Sequence, residues 1–165
     1  MKKAAVVMGS ASDLPLAKEA LKTLEEFGVP TIARVLSAHR TPEEAADFAR
    51  SAEDEGYGAL IAIAGKAAHL AGVLASYTRL PVIGVPVSGR DLGGLDALLS
   101  TVQMPRGVPV AAVAIDGASN AALLAVRILA LEDETLARQL EKYARTLAEK
   151  TAEADAALQK ELENT

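Results

Sequence analysis

The stretch Ala4-Ala5-Val6-Val7-Met8-Gly9-Ser10-Ala11-Ser12-Asp13 passes from a short, wholly apolar run through a glycine-serine turn into the amphipathic pattern of a helix. Five apolar residues with no polar alternate face read as a strand buried on both sides, which is the habit of a parallel sheet. The run is far too short for a signal-peptide core or a membrane span. The helix after it is predicted over 13–27, with Leu14, Ala17, Leu21 and Leu24 at three- and four-residue spacing. Ser12 or Asp13 can cap it, Pro15 is tolerated in its first turn, and Gly28 stops it.

Working outward, the same alternation repeats. Further strands are predicted at Thr31–Leu36, Ala59–Ala64, Pro81–Val85 and Val110–Ile115, all read as interior strands. Thr41-Pro42-Glu43-Glu44 opens a second helix, with Thr41 placed to cap the amide three residues on, Glu44 to reach back, and proline at the first helical position. Helices follow at Ala67–Tyr77, Gly94–Val102 and Ala118–Leu131. Five strands with intervening helices predict a doubly wound α/β fold with a parallel sheet and right-handed crossovers.

The segment from Glu134 to Leu162 is alanine- and charge-rich, with Leu136, Leu140, Tyr143, Leu147, Ala154 and Leu158 on a narrow helical stripe. It can fold back on its own domain or meet another subunit. A stripe lying beyond a completed sheet favours the second use, so a homo-oligomer is expected. At 165 residues, 50% apolar, the chain suits a single domain, with 1–131 as the α/β core and 132–165 as a helical extension used in oligomerisation. A net charge of −5 gives no support to nucleic-acid or anionic-membrane binding. The absence of cysteine excludes disulfides, thiolate zinc sites and a thiol nucleophile, and suits a reducing cytoplasm.

Each polar motif follows a strand. Gly9-Ser10-Ala11-Ser12-Asp13, Ser37-Ala38-His39-Arg40, Gly65-Lys66 and Pro86-Val87-Ser88 all fall at carboxyl ends, which share one edge of a parallel sheet and border its ligand crevice. The Gly9-Ser10 turn enters a helix N-terminus suited to an anion such as phosphate, with Ser10 and Ser12 hydroxyls as further donors. A carboxylate at Asp13 would repel phosphate, so it is assigned ribose hydroxyls. His39 changes protonation near neutral pH, which fits acid/base work, and Arg40 beside it offers a fixed charge and a fork of donors. His69 is expected to pack or to fix the Gly65 loop rather than move protons. Two histidines without acidic partners at ligand spacing argue against a metal site. Met104-Pro105-Arg106-Gly107-Val108-Pro109 should form a stiff connection from which Arg106 could reach a ligand or a neighbour.

Met8-Gly9-Ser10-Ala11-Ser12-Asp13, Ser37-Ala38-His39-Arg40-Thr41-Pro42, Ala67-Ala68-His69-Leu70, Gly84-Val85-Pro86-Val87 and Gln103 to Pro109, in that order, together resemble the class I N5-carboxyaminoimidazole ribonucleotide mutase family. The resemblance extends from about residue 4 to residue 131. It implies a flavodoxin-like three-layer αβα sandwich in a homo-octamer. The activity implied interconverts N5-carboxyaminoimidazole ribonucleotide and 4-carboxyaminoimidazole ribonucleotide in purine biosynthesis, without ATP, metal or organic cofactor. His39 would be catalytic. The substrate-binding set implied is Gly9, Ser10, Ser12, Asp13, Ser37, Ala38, Arg40, Gly65, Lys66, Ala67, His69 and Leu70. Within it Ser10, Ser12 and Arg40 would hold phosphate, Asp13 the ribose, and the Gly65 loop the carboxylate or carbon dioxide.

One loop departs from the pattern. Where that family has Gly-Gly-Ala-Ala-His-Leu-Pro-Gly, this chain has Gly65-Lys66-Ala67-Ala68-His69-Leu70-Ala71-Gly72. The related class II enzymes, which carboxylate aminoimidazole ribonucleotide with free carbon dioxide, also carry a basic residue after the loop glycine. That carboxylase chemistry and a catalytically silent nucleotide-binding homologue are the two alternatives.

Overall fold

The computed structural model describes residues 1–163. Strands β1 (Lys3–Met8), β2 (Thr31–Val35), β3 (Tyr57–Gly65), β4 (Val82–Val87) and β5 (Ala111–Ala112) form one parallel sheet in the order β2-β1-β3-β4-β5. Helices α1 (Leu14–Glu26), α2 (Pro42–Ser51), α3 (Leu70–Tyr77), α4 (Leu95–Val102) and α5 (Ala118–Leu129) fill the connections, and α6 (Glu134–Glu163) follows. This is the flavodoxin-like strand order.

Two apolar cores result from the two-residue period of the strands. Along β1, Ala4, Val6 and Met8 meet Ala17, Ala20 and Leu24 of α1 and Ala121 and Ala125 of α5. Ala5 and Val7 face the other way, into a cluster with Phe48 and Ala49 of α2 and Leu70 and Leu74 of α3. All five strand residues are buried, as a middle layer requires. Gly84 in β4 is needed for close approach. A Cβ there would collide with Thr101 of α4 and sit 3.2 Å from the Ala71 Cβ of α3.

Three expectations need correction. β2 is an edge strand and not an interior one: Ala33, Arg34 and Val35 are exposed, and only β1 pairs with it. β5 is far shorter than Val110–Ile115. The Pro86 carbonyl accepts the Asp116 N–H at 2.9 Å on that side of β4, but proline has no N–H to return, so the ladder ends after Ala112. Thr41 makes no side-chain bond to α2, because its Oγ1 is engaged by Ser37 instead.

The terminal helix divides its roles. Asp133 caps α6 by accepting the Thr135 and Leu136 N–H groups at 3.0 and 3.1 Å. Leu136 is fully buried, Leu140 and Tyr143 pack on the α1/α5 core, and the Tyr143 ring lies 5.6 Å from Phe27. This first half folds back on its own domain. From Leu147 to Glu163 every residue is exposed. No helix among the described residues is long and apolar enough to cross a membrane.

Leu136→Ala should therefore lower the free energy of unfolding by about 2–5 kcal/mol, the range for a leucine removed from a closed core. Urea unfolding checks this.

Candidate active site

The site begins with the turn after β1. The Gly9 N–H donates to the Ile63 carbonyl at 2.9 Å, which ties this turn to β3. Ser10 then starts a short 3-10 turn over Ala11–Asp13, with a capping box: Ser10 Oγ accepts the Ser12 N–H at 3.3 Å, and Asp13 Oδ2 accepts the Ser10 N–H at 3.2 Å. The sequence suggested that Ser12 or Asp13 caps α1. In the structure Asp13 stands at the α1 cap position without a side-chain bond to that helix, and its carboxylate turns back to Ser10. Ser12 Oγ lies 2.9 Å from Ser10 Oγ, so two hydroxyls stand side by side. Asp13 is buried, and desolvation pushes its carboxyl above the ordinary value of 3.8, against the lowering effect of its bonds from Ser10 and Ser12.

The loop after β2 lies beside this turn because the Leu36 N–H donates to the Met8 carbonyl at 3.0 Å. Thr41 Oγ1 closes the loop by accepting the Ser37 N–H at 2.9 Å. Arg40 is thereby fixed: its Nη2 donates to the Gly9 carbonyl at 3.0 Å and its Nε reaches Ser37 Oγ at 3.4 Å. An exposed guanidinium held this way has lost much of its side-chain freedom before any ligand arrives.

The third loop follows β3. Lys66 has φ +55, in the left-handed region, and the Ala68 and His69 N–H groups donate to the Lys66 and Ala67 carbonyls at 2.8 Å each. These tight turns delay α3 to Leu70, three residues later than expected, and leave His69 exposed at its cap. His69 is not packed in the core. Its Nδ1 lies 2.9 Å from His39 Nε2, with the rings nearly edge to face at 4.9 Å between centroids. Thirty positions separate the two histidines, and no spacing argument from the sequence linked them.

The pairing defines what the imidazoles can do. One ring must donate and the other accept, which leaves His39 Nδ1 and His69 Nε2 as the outer nitrogens. A third proton can be taken at an outer nitrogen while the bond persists; a fourth removes the acceptor and breaks it. The pair can thus hold one extra proton without opening.

These loops enclose a cleft of about 680 Å³. Gly9, Ser10, Ser12 and Asp13 line it from the first loop, Ser37, Ala38, His39 and Arg40 from the second, and Gly65, Lys66, Ala67, His69 and Leu70 from the third. His39 and all twelve residues of the substrate-binding set that the resemblance implied are brought together. Ala64, Val87, Ser88 and Gly89 also line it and were not singled out individually. The signal for Val87 and Ser88 was their place at the carboxyl end of β4. Arg106 does not line the cleft within one chain.

A crevice at the strand carboxyl ends, with fixed hydroxyls, a fixed guanidinium and two bonded imidazoles, defines a small-molecule enzyme able to hold an anion and move protons. Comparison with known proteins narrows the class. The family described as AIR carboxylase matches residues 3–150, and the chain belongs to that family. It is 55% identical over 148 residues to the N5-carboxyaminoimidazole ribonucleotide mutase of Pyrococcus horikoshii, covering 90% of this chain and 84% of that one. The mutase of Mycobacterium leprae is 54% identical over 155 residues, covering 94% and 91%. Among solved structures, Treponema denticola PurE superposes with a TM-score of 0.84 at 32% identity, covering 94% of this chain and 97% of that one.

The raised Asp13 value carries a stability sign. The native state holds this proton more tightly than the unfolded chain, so the contribution of Asp13 is best below about 3.8 and is lost as pH rises through the native value. Asp13→Asn keeps an acceptor for Ser10 without the buried charge. It should melt higher than wild type at pH 7, and the difference should close as the pH falls below that window. Thermal unfolding as a function of pH reads both.

Proposed function

We propose that this chain interconverts N5-carboxyaminoimidazole ribonucleotide and 4-carboxyaminoimidazole ribonucleotide in purine biosynthesis, with His39 as the proton-transfer group. The observation that carries the proposal is the His39–His69 pair in a cleft that also presents Ser10, Ser12 and Arg40, suited to an anion, and the Gly65–Ala67 loop. A ribonucleotide whose phosphate meets the two serines and Arg40 and whose ribose meets Asp13 sets its heterocycle beside the imidazoles. The relatives from Pyrococcus horikoshii and Mycobacterium leprae carry the mutase name, so the free-carbon-dioxide alternative is not favoured.

The steps follow from these positions. The bond between the exocyclic nitrogen and the carboxyl carbon breaks, its electron pair returns to nitrogen, and His39 supplies the proton that nitrogen takes up. Carbon dioxide stays beside the Gly65 loop. The aminoimidazole ring carbon, made nucleophilic by the amine, attacks it, and His39 takes the proton that this carbon releases. Protons and charge balance over the cycle, and His39 ends as it began. Confinement in the cleft replaces a bimolecular encounter with an oriented one.

The same reading extends to assembly and location: a cytoplasmic homo-octamer. Its support is apolar surface that a lone subunit leaves in water. Leu92, in the turn before α4, and Leu95, Leu99 and Val102 along it are all about half exposed or more, and Leu147, Leu158 and Leu162 are exposed on the outer half of α6.

Two measurements decide these points. His39→Asn should lower turnover of 4-carboxyaminoimidazole ribonucleotide, followed by ultraviolet absorbance, by about 10²–10⁴-fold while nucleotide binding persists. Equal activity in both proteins removes His39 from the mechanism, and an inactive wild type points to the silent homologue. Deleting residues 148–165 should give smaller particles in sedimentation with an unaltered subunit fold; unchanged mass removes the tail from the assembly.

A further inference from the structure

Among the described residues, two other than glycine have φ between +20° and +160°: Lys66 at +55 and Asp116 at +58. Asp116 has a local reason, since its Oδ1 accepts the Ser88 N–H at 2.8 Å and aspartate is among the side chains that tolerate this region. Lys66 has none. A lysine there is strained relative to the ordinary backbone regions, and its side chain makes no hydrogen bond that offsets the strain. Such backbone strain clusters at functional sites.

Its surroundings indicate which function. Lys66 lines the cleft from the loop after β3, on the far side of β1 from the β2 loop that carries Arg40, and that loop is the one proposed to hold the migrating carboxyl group. Its ammonium stands 3.9 Å from Asp91 Oδ2, and both side chains are 80% exposed. That distance is long for an ion pair, and so exposed a pair contributes little to stability. Asp91 belongs to the segment after β4, whose Ser88 and Gly89 also line the cleft. The ammonium is therefore a cation on the cleft lining that is held only weakly, by one exposed carboxylate.

We propose that Lys66 is a specificity-determining residue that selects carboxylated over uncarboxylated aminoimidazole ribonucleotides by exchanging Asp91 for the substrate's carboxylate. This rests on the mutase reading of the cleft. Phosphate, ribose and heterocycle are common to both kinds of nucleotide and meet Ser10, Ser12, Arg40, Asp13 and the imidazoles. The carboxylate is what differs, and Lys66 is the cation on the loop proposed to hold it. Asp91 keeps the ammonium near the mouth in the empty enzyme and competes with the incoming carboxylate.

The test is calorimetric titration of the full-length protein, in buffer freed of carbon dioxide, with 4-carboxyaminoimidazole ribonucleotide and separately with aminoimidazole ribonucleotide. Lys66→Gln should weaken the carboxylated ligand about 5- to 20-fold, as expected for loss of a charge-assisted contact, and leave the uncarboxylated one within about twofold. Lys66→Gly, which relieves the backbone strain, should show the same selective loss. Asp91→Asn should tighten the carboxylated ligand about two- to fivefold. An equal loss for both ligands, no loss for either, or restored affinity in the glycine variant overturns the proposal while the mutase reading stands. A wild type that binds neither nucleotide overturns both.

Discussion

The position of β1 between β2 and β3 is the constraint on which the rest of the structure depends. A first strand flanked on both sides by later strands forces the connections after it to leave in opposite directions along the sheet, one toward β2 and the other toward β3 through β5. At that divergence the helices on the two faces part, and a crevice opens above the strand ends. The Met8 carbonyl receives Leu36 on one side, and the Gly9 N–H reaches Ile63 on the other. The three loops that make the cleft are thus fastened to one another through the last residue of β1 and the first residue after it. Alanines and valines along β1 let both helical layers sit close, so burial of this one strand sets the height and spacing of every loop above it.

The fold was largely legible because its signals are local. Apolar runs without a polar face, separated by capped amphipathic stretches, leave little choice but a parallel α/β sheet. What was missed depended on neighbours. The run Thr31–Val35 resembles an interior strand, and its edge position shows only in the exposure of Ala33, Arg34 and Val35. The shortness of β5 comes from a hydrogen bond that Pro86, in a different strand, cannot donate. Thr41 has the right spacing to cap α2, but Ser37, four residues earlier, offers it both a donor and an acceptor, and that closer partnership wins.

The site divides in the same way. Its membership followed from topology, since any polar residue just past a parallel strand arrives at the same edge. Its internal wiring did not. Arg40 by type suits a phosphate or a carboxylate, and the resemblance implies phosphate, but its hold on the Gly9 carbonyl joins residues 31 positions apart. By its place near an apolar helix start, His69 is expected to pack or to fix the Gly65 loop. The backbone between Gly65 and Leu70 overrides that expectation: two successive tight turns stop α3 from beginning at Ala67 and swing the imidazole out to His39.

A further tension lies between stability and chemistry in the first loop. Burying Asp13 costs free energy, since desolvation outweighs the bonds that Ser10 and Ser12 give its carboxylate. An asparagine would serve the capping box about as well. The cost makes sense if a carboxylate is wanted for a ligand, because both of its oxygens accept, one for each hydroxyl of a ribose, whereas an amide has one accepting oxygen and a donor in place of the other. Two costs thus sit on the lining of the cleft, a buried carboxylate at Asp13 and a left-handed lysine at Lys66. Neither is required by the sheet, whose cores are apolar and well filled without them. Features that the fold does not need and that lower its stability are best explained by what the cleft must hold, and the proposed function gives each a use, Asp13 as an acceptor for ribose and Lys66 as a cation for the carboxylate.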